Sequence, residues 1–265
     1  MPARPGGRLQ ADGLLLDMDG VLSVSWDPLP GAVAAVAVLR AAGVQLRVLT
    51  NTTSRSRATI AAALRRSGFD FADGEVLTAA VAAGAYLRAN HPGARVFLFG
   101  DARPDDLDGV HLVGLNETPD VVLVTGADAS FTYEALNRVF RTLLGGAAFV
   151  ATHRTLSWMT RAGACLDAGA YLLGLERALG RTAAITGKPA PQFFAAGLQA
   201  LGLRAQRVAM VGDDLDNDVR AAQAVGIAGV LVRTGKFRED DLDRGAGPPD
   251  YLVDSVADLP QLLGL

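Results

Sequence analysis

Residues 13–22 constrain the fold most strongly, because an apolar run there leads directly into two carboxylates and a glycine. Leu14, Leu15 and Leu16 form the unbroken apolar run expected of a central parallel strand that is covered on both faces. Ligands of open α/β sheets bind beyond the carboxyl ends of the strands, which is where Asp17 and Asp19 would lie. Two crowded carboxylates are stable only when a cation joins them or one takes up a proton. The stretch therefore predicts a metal site, an acid–base role, or both.

The pattern Asp-x-Asp-Gly also occurs in ordinary turns, where Asp and Gly serve only the backbone. The rest of the sequence is therefore needed to distinguish a functional pair of carboxylates from a turn. A helix-like stretch at residues 31–42 and a strand-like stretch at residues 44–49 follow the first strand, and this alternation resumes after residue 182. Short joins between alternating strands and helices are typical of a parallel doubly wound sheet. We therefore predict an α/β fold with a Rossmann-like core.

A middle block interrupts this pattern. Residues 79–183 contain helix-like and strand-like stretches of their own, enough to bury a separate small core. The chain is 265 residues long, which is sufficient for two modest domains. We predict a doubly wound core made of residues 13–78 and 184–265, with a smaller α/β domain, residues 79–183, inserted into it.

Charge and cysteine content narrow the environment and the partners. The formal net charge of −3 gives no reason to expect nucleic acid or an anionic membrane as a partner. Cys165 is the only cysteine, which excludes an internal disulfide and favours a reducing compartment; its apolar neighbours predict a packing role. No stretch has the apolar length of a signal peptide core or a membrane span. We therefore expect a cytoplasmic protein.

Polar groups collect at the predicted strand ends and helix starts of the core. They are Asp17, Asp19, Thr50, Asn51, Lys188, Asp213 and Asp218. Carboxylate oxygens suit Mg²⁺, whereas a lysine, a hydroxyl and the backbone N–H groups of a helix start suit a phosphate. A carboxylate beside them can act as a nucleophile and form an aspartyl-phosphate. Together these groups predict phosphoryl transfer.

The order of four short motifs resembles the haloacid dehalogenase (HAD) superfamily of phosphatases. The motifs are Asp17-Met-Asp-Gly, Thr50, Lys188-Pro, and Gly212-Asp-Asp followed by Asp218. The insertion between the second and third motifs resembles the subgroup with a large α/β cap at that point, the 4-nitrophenylphosphatase-like enzymes. Residues 186–191, 210–214 and 232–238 are most similar to the branch of phospholysine phosphohistidine inorganic pyrophosphate phosphatase.

The resemblance implies roles for the catalytic residues of the core. Asp17 would be the nucleophile and a Mg²⁺ ligand. Asp19 would protonate the leaving oxygen and then deprotonate the attacking water, and its backbone carbonyl would also bind the metal. Lys188 would neutralise charge on the phosphate and on the nucleophile. A dianionic phosphate could not otherwise approach Asp17 against its own charge.

The resemblance also implies binding roles for four further residues. Thr50 and the amide of Asn51 would hold the phosphoryl oxygens. Asp213 would complete the Mg²⁺ shell, and Asp218 would support it from behind. Members of the subgroup form dimers through their caps, which makes a homodimer an expectation here.

A polar and aromatic stretch in the inserted domain predicts the place where substrate is chosen. The resemblance puts residues 153–159, which we expect to form a loop, near the substrate, so His153, Arg154 and Trp158 are candidate specificity contacts. The alternative is a surface loop with Trp158 packed into the core of the inserted domain, and the sequence leaves both open. Lys236 is expected at the surface or behind the metal ligands.

The sequence therefore predicts a Mg²⁺-dependent phosphatase that hydrolyses small phosphate esters, pyrophosphate or phosphoramidates through an aspartyl-phosphate. One alternative is a phosphomutase, which the large cap at this insertion point disfavours. Another is a sensor of a phosphorylated metabolite without catalytic activity. A sensor could dispense with the nucleophile or the acid, yet the set of Asp17, Asp19, Thr50, Lys188 and Asp213 is complete.

Overall fold

The computed structural model describes residues 7–160, 163–242 and 247–265. The strands are β1 Gly13–Leu16, β2 Ser23–Val24, β3 Asp27–Pro28, β4 Gln45–Thr50, β5 Val76–Thr78, β6 Arg95–Phe99, β7 His111–Leu112, β8 Val121–Val124, β9 Ala148–Ala151, β10 Ser157–Thr160, β11 Gly163–Leu166, β12 Ala184–Ile185, β13 Val208–Gly212, β14 Ala228–Val232 and β15 Tyr251–Val253. The helices are α1 Ala32–Ala41, α2 Arg57–Arg66, α3 Ala79–Asn90, α4 Tyr133–Leu144, α5 Ala168–Leu179, α6 Pro191–Leu201, α7 Ala221–Ala224, α8 Glu239–Leu242 and α9 Leu259–Leu263, with a π-helical turn at Leu215–Arg220.

The described residues fall into two compact units. The first, here called the core unit, contains the residues up to 50, residues 57–77 and the residues from 188 onward. The second, the inserted unit, contains residues 51–56 and 78–187. It extends to residue 187, slightly beyond the boundary expected from the sequence, because β12 pairs with β9 of its sheet.

The core unit is built on a six-stranded sheet with the order β15-β14-β13-β1-β4-β5. β1 lies between β13 and β4 and is parallel to both. Its four residues are fully buried, as expected for a leucine run covered on both faces. This sheet, with helices such as α1 and α6 contributing buried faces, confirms the predicted α/β class and Rossmann-like core.

Strand order fixes where a ligand would bind to the core sheet. The chain runs from β1 to β4 on one side and later places β13 on the other side of β1. The connections therefore diverge between β1 and β13, and such a switch point opens a crevice beyond the carboxyl ends of the two strands. Asp17 follows β1 and Asp213 follows β13, so both residues stand at this crevice.

The inserted unit has its own five-stranded sheet with the order β12-β9-β8-β6-β7. Its pairings are parallel, and all four residues of β8 are buried at its centre. Helices α4 and α5 pack with β8 and β9 into one apolar cluster, which includes Val139 and Leu172. A second cluster includes Leu87 and Val96. The unit therefore buries two apolar cores of its own.

The antiparallel hairpin β10–β11 forms a two-stranded sheet of its own, separate from the main sheet of the inserted unit. Residues 153–159 were expected to form a loop, but the stretch becomes a strand at Ser157 because β10 pairs with β11. The expected packing role of Cys165 is wrong. Cys165 pairs with Trp158 in this two-stranded sheet, and its side chain is exposed. Apolar sequence neighbours do not bury a residue when no second layer covers its strand.

Helices of the described chain are all too short, or not apolar enough, to cross a bilayer.

Candidate active site

Asp17 is held at the end of β1 by the neighbouring strand. Its backbone N–H donates to the carbonyl of Val211 in β13 at 2.9 Å, and the residue is buried. Thr50, the last residue of β4, is buried as well and stands at the adjacent strand end. Asp19 lies two residues beyond Asp17 and is exposed. The sheet therefore presents one buried carboxylate and one exposed carboxylate from the same motif.

Lys188 connects two of the buried carboxylates. Its Nζ lies 2.7 Å from Oδ1 of Asp17 and 2.7 Å from Oδ1 of Asp218. Burial disfavours the charged ammonium, but the charges and hydrogen bonds of Asp17 and Asp218 outweigh it and raise the pKa of Lys188. The lysine is therefore a fixed cation at the edge of the site.

Three carboxylates converge at the switch point. One oxygen from each of Asp17, Asp213 and Asp218 lies within 4.8 Å of the others, which is close enough for a shared metal ion. Burial, together with the charges of Asp17 and Asp218, raises the pKa of Asp213 to about 8. Burial, partly offset by Lys188, also raises the pKa of Asp218, to about 7. Lys188 and the charge of Lys236, which partly offsets the rise in the pKa of Asp213, do not neutralise the three carboxylates, so a further cation would stabilise the cluster.

The donor set fits Mg²⁺. Oδ1 of Asp213 is buried, and no group in the described part of the chain donates a hydrogen bond to it. Such an orphaned carboxylate oxygen is costly unless something absent from the protein itself satisfies it. Lys188 already occupies one oxygen of Asp17 and one of Asp218. Asp17 and Asp213 are therefore the residues that would hold the ion, and hard carboxylate oxygens are the ligands that Mg²⁺ prefers.

Two glycines and a backbone amide orient Asp213. Its Oδ2 accepts a hydrogen bond from the backbone N–H of Lys236 at 2.8 Å. A Cβ on either Gly20 or Gly235 would lie 2.0 Å from that same oxygen, so both positions must lack a side chain. The two glycines have φ values of 85° and 65°, which glycine adopts without strain. Thr234 closes the arrangement by donating its hydroxyl to the carbonyl of Gly20 at 2.5 Å.

The loop after β13 places Asp218. Asp214 caps the π-helical turn by accepting from the backbone N–H groups of Asp216 and Asn217, at 3.2 and 2.9 Å. Burial would raise the pKa of Asp214, but the hydrogen bonds from Asn217 keep it below its usual value. A Cβ at Gly212 would lie 2.2 Å from Cβ of Asp218. The capped turn and the glycine thus allow Asp218 to reach back to Lys188.

The remaining predicted residues of the inserted unit have different environments. Asn51 belongs to this unit, where its Oδ1 lies beside Gly187. His153 is buried, with its Nδ1 accepting from the backbone N–H of Thr155 at 3.3 Å. The binding role of Asn51 stays a prediction.

Arg154 and Trp158, the other two candidate specificity residues, have different environments: the first is ion-paired and the second is exposed. Arg154 makes a two-pronged ion pair with Glu176, at 2.6 and 2.7 Å, and Glu176 also accepts from the backbone N–H of Ala183. Burial opposes the charge of Glu176, but these hydrogen bonds lower its pKa. Trp158 is 53% exposed in β10, so it is not packed into the core of the unit.

Sequence reasoning did not find how Asp213 is held. Lys236 was expected at the surface or behind the ligands, and its side chain is exposed, while its backbone N–H makes the contact. The signal was present in the sequence as Gly20 and Gly235 beside polar residues, but a glycine does not reveal which atom approaches it. Asp218 was expected to support the metal ligands from behind, and this role stays a prediction; its carboxylate lies within 4.8 Å of those of Asp17 and Asp213 and pairs with Lys188.

Comparison with known proteins identifies the family. The family model described as haloacid dehalogenase-like hydrolase matches residues 14–116, and a second HAD-hydrolase-like model matches residues 185–259. Human haloacid dehalogenase-like hydrolase domain-containing protein 2 is 34% identical, covering 91% of this chain and 90% of its own length. Human phospholysine phosphohistidine inorganic pyrophosphate phosphatase is 35% identical, covering 95% and 93%.

Solved structures agree with this relationship. The p-nitrophenyl phosphatase of Archaeoglobus fulgidus superposes with a TM-score of 0.88 at 29% identity, covering 97% of this chain and 100% of its own. A glycerol phosphate phosphatase of Mycobacterium tuberculosis, solved in complex with magnesium, gives 0.85 at 27% identity, covering 96% and 79%. The chain therefore belongs to the haloacid dehalogenase-like hydrolase family. Within that family it is an enzyme of the phosphatase class.

Proposed function

We propose that this enzyme hydrolyses small phosphate esters, pyrophosphate or phosphoramidates with Mg²⁺, through an aspartyl-phosphate on Asp17. The observation that carries the proposal is the position of Lys188 between Asp17 and Asp218, beside the orphaned oxygen of Asp213. Phosphoryl transfer depends mainly on positioning and charge neutralisation, and these four side chains supply both. When bound, Mg²⁺ would supply further positive charge to the transferring phosphoryl group.

Asp17 would act first. A carboxylate oxygen of Asp17 attacks phosphorus, and the bond from phosphorus to the leaving atom breaks; that atom is oxygen in an ester or pyrophosphate and nitrogen in a phosphoramidate. Asp19, which is exposed beside it, donates its proton to the leaving atom. Lys188 holds the carboxylate of Asp17 in place at 2.7 Å. Thr50, at the next strand end, would donate its hydroxyl to a phosphoryl oxygen.

Water would then release the product. Asp19, now a carboxylate, takes a proton from a water molecule as that water attacks phosphorus. The bond between phosphorus and Asp17 breaks, inorganic phosphate leaves, and both aspartates return to their starting states. Each cycle therefore consumes one water and gives one phosphate together with the protonated leaving group, which is an alcohol, an amine or, from pyrophosphate, a second phosphate.

The substrate range follows from the relatives' names. They describe a phosphatase of phospholysine, phosphohistidine and inorganic pyrophosphate, a p-nitrophenyl phosphatase and a glycerol phosphate phosphatase. We propose small molecules of these classes as substrates. The inserted unit, as a cap domain, is proposed to choose among them through His153, Arg154 and Trp158. Trp158 is the member of this set with the most exposed side chain.

The experiment is a phosphate-release assay. The purified protein is incubated with 4-nitrophenyl phosphate, pyrophosphate and glycerol phosphate, in Mg²⁺ and in EDTA. Asp17→Asn should abolish release, whereas the exposed Asp70→Asn should leave it unchanged. Release that continues in EDTA or in Asp17→Asn would refute the proposed mechanism. Phosphate transfer to a second position of the substrate without net release would favour the phosphomutase, and binding without any transfer would favour the sensor.

Two further parts of the proposal concern assembly and location. We propose a homodimer formed through the inserted unit, supported by the exposed apolar side chains of Leu156 and Trp158, beside and on the β10–β11 hairpin. Light scattering of the intact chain and of Leu156→Ser with Trp158→Ser tests it, since a dimer through this surface would dissociate. We also propose a cytoplasmic location, supported by the single exposed cysteine.

A further inference from the structure

A small cavity lies at one edge of the inserted unit's sheet, where β6 and β7 begin. Its volume is about 160 Å³, and it is lined by the end of α3, the following turn and the starts of the two strands. Buried Leu87 and Val96 form an apolar floor. The loop that begins at His153 follows the carboxyl end of β9, whereas the cavity lies at the amino ends of β6 and β7 in the same parallel sheet. The cavity is therefore separate from the proposed substrate contacts.

Three nitrogen-bearing side chains line the rim. They are Arg88, His91 and His111. The chain has three histidines, and the third is His153. The ring of His91 packs against Tyr86 with their centroids 5.9 Å apart. Strand pairing sets His111 opposite Arg95. The fold therefore fixes the ring of His91 through Tyr86 and the backbone position of His111 through β6.

We propose that this cavity binds a small organic anion, with a carboxylate or phosphate group at the rim and a compact apolar body on the floor. Each imidazole offers at least one N–H in any protonation state, and the guanidinium of Arg88 offers several. Arg88 uses Nη1 on the carbonyl of Asp108 at 2.5 Å, which anchors the side chain across the cavity wall. A volume of this size holds about five waters, so the apolar body must be about as small as one aromatic ring.

Two local features oppose an anion, and hydrogen bonds from neighbouring groups offset part of each. The carboxyl end of α3 carries partial negative charge, but the carbonyls of Tyr86 and Leu87 accept from Asn90 and His91, at 2.9 and 2.8 Å. Asp120 lies near His111, but its carboxylate is bound by Arg95 through Nε and Nη2, at 3.0 and 2.9 Å. The N–H groups of Arg88, His91 and His111 therefore still favour an anion at the rim.

The three histidines make the test direct. Imidazole resonances of ¹⁵N-labelled protein are followed while benzoate is added, and His91→Gln and His111→Gln assign them. We expect His91 and His111 to shift along one saturating curve with a Kd on the order of millimolar. The resonances of His153, which is buried beyond the carboxyl end of β9, should not shift. Absence of saturation, or equal shifts of all three rings, would overturn the proposal.

Matched probes and variants separate the parts of the site. Benzyl alcohol lacks the charge and inorganic phosphate lacks the apolar body, so both should bind at least about tenfold more weakly than benzoate. Arg88→Ala should weaken benzoate about tenfold, whereas the exposed Arg103→Ala should have no effect. Unchanged affinity in Arg88→Ala would contradict the proposal. If that variant does not fold, His111→Ala, a change at an exposed position, carries the same expectation.

Discussion

The backbone N–H of Lys236 donates a hydrogen bond to Oδ2 of Asp213, at 2.8 Å, and the side chain of Lys236 takes no part in this contact. The bond leaves Oδ1 of Asp213 as the oxygen that a cation can reach. It forms because Gly20 and Gly235 leave room for the carboxylate between them. The orientation of Asp213, the proposed metal ligand, is therefore set by the backbone of a distant loop.

Gly235→Ala should weaken Mg²⁺ binding. The new Cβ would lie 2.0 Å from Oδ2 of Asp213 and would displace the carboxylate. Gly202→Ala is the matched control, since both glycines have a φ of 65° and nothing lies within 4 Å of a Cβ at residue 202. Each variant should lose about 1 kcal/mol of unfolding free energy from backbone strain. Calorimetric Mg²⁺ titration should detect lost affinity only in Gly235→Ala; equal affinities would contradict this account of Asp213.

Lys188→Met should destabilise the protein by about 3–5 kcal/mol in EDTA, because it leaves Asp17 and Asp218 buried without their cation. The chain has two lysines, and Lys236, whose side chain is 58% exposed and pairs with Asp214 at 3.8 Å, provides the comparison. Lys236→Met should cost no more than about 1 kcal/mol, the range of an exposed ion pair. Urea unfolding measures both. Adding Asp218→Asn to Lys188→Met should restore part of the stability without restoring phosphatase activity, and equal losses in the two lysine variants would oppose this prediction.

Stability without metal should fall as the pH rises. Asp213 and Asp218 have pKa values of about 8 and about 7 in the folded protein, against 3.8 for an ordinary aspartate. The folded state therefore binds more protons than the unfolded state between about pH 4 and pH 8. The free energy of unfolding then decreases with pH, by at most about 1.4 kcal/mol per pH unit for each proton.

Urea unfolding in EDTA at about pH 5 and about pH 8 checks that slope. Mg²⁺ binds the ionised carboxylates, so it should stabilise the protein more at the higher pH. Asp213→Asn combined with Asp218→Asn removes both protons and should reduce the slope. A stability in EDTA that is constant or rises over this range would refute the raised pKa values.

Arg154→Ala should destabilise the protein by about 1–3 kcal/mol, since Glu176 would lose both hydrogen bonds from the guanidinium. Arg177→Ala is the control: Arg177 is exposed, lies on α5 next to Glu176, and its loss should change stability little. The measurement is urea unfolding together with KM for each substrate. A stable Arg154→Ala variant with a raised KM would assign Arg154 to substrate instead of to the loop that it anchors.

Sequence reasoning found the fold because its signals are local. The leucine run of β1 and the alternation of strands and helices identify a doubly wound sheet without knowledge of distant contacts. The hairpin β10–β11 was missed, since polar residues around Arg154 obscure the strand that starts at Ser157. The exposure of Cys165 was missed for a related reason. Burial depends on which layer covers a strand, and that layer is not adjacent in sequence.

The candidate site was predicted to the extent that its residues follow strands. Asp17, Thr50 and Asp213 each stand at a strand end of the core sheet, as the motif order implied. Two contacts could not be predicted, namely the ion pair of Lys188 with Asp218 and the hydrogen bond from Lys236 to Asp213. Both join segments that are far apart in sequence, and their geometry depends on glycines whose role appears only when the loops meet.

The most direct test of the account is whether Asp17 becomes phosphorylated. The protein is mixed with Mg²⁺ and 4-nitrophenyl phosphate, quenched in acid within one turnover, and digested for mass spectrometry. The account predicts one phosphoryl group on the peptide that contains Asp17, lost in EDTA and in Asp17→Asn, and accumulating in Asp19→Asn, in which water is no longer activated. Phosphate release at full rate without this labelled peptide, in a chain where Asp17→Asn remains active, would contradict it.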